Sequence, residues 1–235
     1  MACSSLRGPT LVCLKADVRY HVMDKGSYTT SMNDNSRRKP DLAGLFQIAV
    51  GQQGYFTAAQ ARECGVSKDL VKYHVGTGRF QRAHRGVYRY RDYPPSPREH
   101  VAAAWQAVGK DKAVVSHESA LDLHELSDVI PWGTHITVPR EQRSAFRPEG
   151  VLLHTTMYPP TQREIDRIDG VRVTSPARTI VDLADTGRAL EHVFSAVRDG
   201  LERGVVTQGE LRRLAATRGA RVSAVVDQAI GAALR

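Results

Sequence analysis

GYFTAAQARECGVSKDLVKYHVGTGRFQRAHRGVYRYR, residues 54–91, is the stretch from which the fold is read. Thr57 opens Thr-Ala-Ala-Gln, a capping box with Gln60 at its third position, so a short helix is expected up to Glu63. Gly65 closes that helix, and Ser67 is a good N-cap for the next one, Lys-Asp-Leu-Val-Lys-Tyr-His-Val. Gly76 and Gly78 stop it. Residues 79–91 are rich in β-formers, with His84-Arg85-Gly86 as the expected turn of a hairpin. Upstream, Leu42, Leu45, Phe46 and Val50 recur at helical spacing and predict a first helix that Gly54 ends. The order is helix, helix, three-residue turn, helix, basic hairpin, which is the plan of a winged helix-turn-helix.

The charge of the chain falls on the same stretch. The 235 residues carry a net charge of +8. Residues 1–40 hold seven Lys/Arg and three Asp/Glu, residues 41–92 eight and four, and residues 93–235 eighteen of each. The excess is therefore confined to the first two-fifths of the chain, the footprint expected for an anionic partner such as nucleic acid. The second helix of a helix-turn-helix enters the major groove. Lys68, Lys72 and Tyr73 are expected to reach base edges there, with Ser67 and Asp69 as lesser contributors. Leu70 is assigned to the core, and His74 to packing or the surface rather than to base reading. Arg79, Gln81, Arg82, His84 and Arg85 in the wing are expected at phosphates or an adjacent minor groove. A solvated basic face without a partner is the competing reading. Placement of the charge on the recognition helix and wing favours double-stranded DNA.

Residues 1–40 read as a flexible tail, because residues 27–40 are polar and aperiodic. Met23 and Met32 also precede the patterned region as alternative starts. Pro94, Pro95 and Pro97 mark a boundary between a DNA-binding domain at 41–92 and a second domain at 96–235. In the latter, residues 98–108 predict a helix, and a second helix begins near Ser116. Strands are expected at 135–139, 150–154 and 170–174. Thr161–Glu164 forms another capping box, and Ser175-Pro176 opens a helix with proline at its first position. Residues 188–201 form an amphipathic helix with Leu190, Val193, Phe194, Val197 and Leu201 on one face. Thr207–Glu210 caps the next helix, and a last helix ends the chain. The fold class is α+β: an N-terminal winged helix-turn-helix followed by a mixed α/β domain ending in a helical segment.

Enzyme chemistry finds no support. His117-Glu118 is an adjacent pair whose members point in different directions on a helix, so a polar helix start is the preferred reading. After residue 92 the only lysines are Lys110 and Lys112, and neither has an acid two positions before it, so the acid-x-Lys element of a restriction-type nuclease is missing. Asp122, Glu125 and Asp128 read as a solvated helix end. No phosphate loop, HExxH or GxSxG motif occurs. The three cysteines, Cys3, Cys13 and Cys64, form no CxxC pair, and no Cys/His group has zinc-finger spacing, so no disulfide, metal or cofactor is expected. No apolar run approaches the ~20 residues of a membrane span, and no secretory signal is evident, which points to the cytoplasm.

Residues 54–90 resemble the winged-helix region of the AbiEi antitoxins of type IV toxin–antitoxin systems, most clearly in Gly78-Arg79-Phe80 and Arg85-Gly86-Val87-Tyr88. VTSPARTIVDLAD (173–185) is similar to the second signature of that family, and AVVSHESALDLHEL (113–126) to the segment after its wing. The resemblance spans roughly residues 41–200. It implies a protein that binds inverted repeats in its own promoter, and whose second domain counters a nucleotidyltransferase-like toxin, directly or only functionally. Some relatives continue into a nuclease-like domain. This chain ends at Arg235, before such a domain would begin, so a non-enzymatic regulator is expected. In the second signature, Arg178 and Asp182 stand at i and i+4 and are read as a structural pair. An orphan regulator without a toxin is the alternative function, and a degenerate nuclease relative a distant third.

Overall fold

Asp41 caps the first helix, α1 (Leu42–Val50), by accepting the Gly44 N–H at 2.7 Å. A computed structural model of the protein describes residues 39–235, so the tail expected over 1–40 lies, apart from Lys39 and Pro40, outside the described residues. Gly51, not Gly54, ends α1. Gly54, at φ +81, instead turns the chain into a short strand, β1 (Tyr55–Thr57), which the sequence pattern did not reveal. Its three residues are too few to show a period of two.

Helix α2 (Ala58–Glu63) carries the expected capping box, with the Gln60 N–H on Thr57 Oγ1 at 3.2 Å and the Thr57 N–H on Gln60 Oε1 at 2.8 Å. Ser67 caps α3 (Lys68–Gly76) through the Leu70 N–H. Strands β2 (Phe80–His84) and β3 (Val87–Tyr90) are joined at Arg85-Gly86, where Gly86 takes φ +73, a backbone region that side chains disfavour. With β1 they form an antiparallel sheet of order β1-β3-β2. Leu45, Phe56, Phe80 and Tyr90 fill the space between this sheet and the three helices, the Phe56 and Phe80 rings meeting edge to face at 4.9 Å. This is a winged helix-turn-helix.

The rest of the chain is mixed α/β and ends in helices. Helix α4 (Glu99–Gly109), strand β4 (Val114–Val115), helix α5 (His117–His124), and strands β5 (Thr134–Pro139), β6 (Val151–Thr156), β7 (Ile165–Ile168) and β8 (Val171–Thr174) come first. Helices α6 (Pro176–Thr186), α7 (Leu190–Glu202), α8 (Gln208–Ala216) and α9 (Ala220–Ala233) complete it. The sheet runs β6-β5-β4-β8-β7, with β5/β6 and β4/β8 parallel and the other pairs antiparallel. The Thr161–Glu164 box caps only a single 3-10 turn that runs straight into β7, a strand absent from the sequence reading. On α7 the buried positions are Val193, Ala196, Val197 and Gly200, whereas Phe194 is half-buried and Leu190 exposed. A Phe194→Ala change therefore falls short of the full-burial cost of about 3–5 kcal/mol.

The winged helix packs directly on the α/β part of the chain. Tyr55 and Val87, on the back of its sheet, belong to the same apolar cluster as Val101 and Trp105 of α4 and Val115, Ile136 and Val173 of the large sheet. Arg89 is buried and donates to the carbonyls of Tyr90, Tyr93 and Pro94 and, at 2.8 Å, to the Glu99 carboxylate. A second cluster, with Leu121, Ile180, Val197, Leu211 and Ile230, holds the terminal helices together.

At the start of α6 lies a buried ion network. Arg178 donates to Asp182 Oδ1 at 2.8 Å, to Glu164 Oε2 at 3.1 Å and to the Tyr158 carbonyl at 2.7 Å. Arg218 donates to the same Asp182 oxygen at 3.2 Å, its guanidinium 4.5 Å from the centre of the Tyr158 ring. The i, i+4 pair read from the second signature is thus made, and buried.

Candidate nucleic-acid interface

Helix α3 has two faces. Val71 and His74 point into the core, Leu70 is half-buried against it, and Lys68, Asp69, Lys72 and Tyr73 are exposed. Val71 rather than Leu70 takes the deep position, on the same buried face of the helix as His74. His74 is a packing residue, its ring centre 5.0 Å from that of Phe80. Burial, and then the Arg79 charge, lower its pKa from the ordinary histidine value. Lys68 and Lys72 stand one turn apart, and Tyr73, 62% exposed, lies beside them. Ser67 is exposed, but its hydroxyl oxygen already accepts the capping hydrogen bond.

In the wing, Arg79, Gln81, Arg82 and Arg85 are exposed. His84 is half-buried, and burial lowers its pKa, so at neutral pH it offers a hydrogen bond and no charge. Among the described residues, no acidic side chain pairs with Lys68, Lys72, Arg79, Arg82 or Arg85. One position departs from the basic stretch as read in sequence. Arg89 is taken out of it by Glu99, a partner on the far side of the prolines that no local pattern links to it. The Arg91 guanidinium lies over Gly78, where a Cβ would stand 2.7 Å from one of its nitrogens.

Lys68, Lys72, Arg79, Arg82, Arg85 and Arg91 remain exposed. If these neutralise about 4–6 phosphates, the log–log dependence of affinity on salt has a slope of about −4 to −5. Fluorescence anisotropy of a promoter fragment at increasing salt measures it, and a flat profile would contradict an electrostatic interface.

Fold and exposed charge define a winged helix-turn-helix protein, and comparison with known proteins narrows the class. Residues 45–91, from α1 to the end of the wing, match the family model described as transcriptional regulator, AbiEi antitoxin, so this segment is AbiEi-like. The fold of the chain is similar to that in the crystal structure of RV2827C protein from Mycobacterium tuberculosis, with a TM-score of 0.52 and 13% identity over 84% of this chain and 79% of that one. At that identity the likeness speaks for the fold alone. No curated protein matches the sequence. Among the described residues, no helix is long and apolar enough to cross a membrane.

Proposed function

We propose that the protein is a DNA-binding antitoxin that acts in the cytoplasm, represses its own operon by binding inverted repeats in the promoter, and counteracts a nucleotidyltransferase-like toxin. One observation carries the DNA-binding part: basic side chains, exposed and, among the described residues, without acidic partners, on both the recognition helix and the wing of a winged helix-turn-helix. The match of that same segment to an antitoxin transcriptional regulator supports the rest. In this reading Ser67, Lys68, Lys72 and Tyr73 face base edges, while Arg79, Gln81, Arg82, His84 and Arg85 hold the backbone or a neighbouring minor groove. The action is one of binding, and no catalytic residue is assigned to it.

The two elements differ in what they contribute, since base contacts specify sequence and phosphate contacts do not. Lys72→Ala is expected to weaken operator more than random DNA, narrowing discrimination by about 1–3 kcal/mol. Arg82→Ala and Arg85→Ala are expected to weaken both DNAs alike. Gel shifts on the two DNAs distinguish these outcomes, and loss of sequence preference in the wing variants alone would reverse the roles.

A further inference from the structure

Three histidines that no sequence motif links meet beside the large sheet. In the parallel β5/β6 ladder Thr137 stands opposite His154, so His135, two residues before Thr137, shares their face of the sheet. His117, the first residue of α5, comes directly after β4, which pairs with β5. It is held at φ 53, a region costly for a residue other than glycine. Its ring stacks on that of His154 with centres 3.8 Å apart, and His154 Nε2 lies 3.1 Å from His135 Nδ1.

We propose that His117, His135 and His154 bind a single divalent transition-metal ion, zinc by the nature of its ligands, with a fourth coordination position open to the pocket beside Asp182 and Asp185. One nitrogen from each ring lies within 4.8 Å of the other two. Tetrahedral zinc with Zn–N bonds of about 2.0–2.1 Å holds its nitrogens about 3.3 Å apart, close to the His135–His154 separation. Three imidazoles suit zinc, copper, cobalt or nickel rather than magnesium or calcium.

The surroundings offer the outer partners that a three-histidine metal site needs. Metal-bound histidines carry a hydrogen-bond partner on the second ring nitrogen. His117 Nδ1 is 2.9 Å from Ser116 Oγ, which is 2.7 Å from Thr137 Oγ1, leaving Nε2 for the ion. His135 Nε2 is buried with no hydrogen-bond partner, yet the Glu118 carboxylate stands 3.7 Å away, placed to receive its proton once Nδ1 is ligated. The pocket, of about 190 Å³, is lined by His117, His154, Thr137 and Asp182 among others, and Asp182 Oδ2 is also buried without a hydrogen-bond partner.

The test uses untagged full-length protein stripped with a chelator. Zn²⁺ titrated against a chromogenic competitor is expected to bind at one equivalent with a Kd at or below about 1 μM, and Co²⁺ to give the visible bands of a tetrahedral site. At a hundredfold excess of Zn²⁺ over Kd, the melting temperature rises by about 5–10 °C. His154→Ala, at the half-buried ligand, abolishes the Co²⁺ bands. Glu118→Gln weakens Zn²⁺ about 10–100-fold, and His100→Ala, on an exposed α4 position, leaves binding unchanged. Absence of stoichiometric binding by the wild-type chain overturns the proposal whatever the variants do. Equal binding by wild type, His154→Ala and His117→Ala overturns it as well.

Discussion

Asp182→Ala is expected to destabilise the protein by about 3–5 kcal/mol, the cost of removing one partner from a buried ion pair. The Asp182 carboxylate accepts from two guanidiniums, and the side chains of Arg178 and Arg218 are each only 3% exposed. Arg178 would keep Glu164 and the Tyr158 carbonyl, but Arg218 would keep little beyond the face of the Tyr158 ring. Burial raises the Asp182 pKa, and the two arginine charges pull it down. Asp182→Asn preserves shape and some hydrogen bonding and should lose less. Set against a typical total stability of about 5–15 kcal/mol, the alanine change takes a large share. Urea unfolding at neutral pH measures it. A loss below about 1 kcal/mol would mean that water reaches the network.

The second large effect concerns the wing. Neutralising Arg79, Arg82 and Arg85 together is expected to lower DNA affinity about 100–200-fold at about 0.15 M salt, because each lost phosphate contact costs a factor of about 5 at that ionic strength. All three are exposed and, among the described residues, lack acidic partners, so the fold should be unaffected, and an unchanged melting temperature is the control. In cells, the triple variant should lose promoter repression yet still rescue growth when the neighbouring toxin is expressed from an independent promoter. Loss of rescue by stable protein would place the antitoxin function in the wing itself. Failure of the wild-type chain to rescue would favour a regulator without a toxin.

The winged helix was legible in sequence because its signals are local. Thr57/Gln60 and Ser67 mark helix starts, Gly78 and Gly86 mark turns at positive φ, and all lie within a few residues of the elements they delimit. Strands β1, β4 and β7 were missed because two to four residues show few alternations, whereas the equally short β8 stood out through its Val-Arg-Val alternation after Gly170. The inward turn of Arg89, the double load on Asp182 and the meeting of His117, His135 and His154 depend on partners ten to nearly forty residues away. Spacing cannot reveal such contacts. His117 was visible in the sequence only beside Glu118, whereas in the structure its nearest ring is His154, two strands further on.

The prolines at 94–97 make a joint in the chain but not in space. Tyr55 and Val87 share their core with α4 and the large sheet, and Arg89 is held from across the joint by Glu99. A winged helix cut at this point and grafted onto another body would carry an exposed apolar back and a guanidinium stripped of its carboxylate. Recombination at the prolines is therefore a poor way to exchange the winged helix in this architecture. If α3 reads DNA as proposed, point changes at its exposed Lys68, Lys72 and Tyr73 would alter specificity with less disturbance of the core.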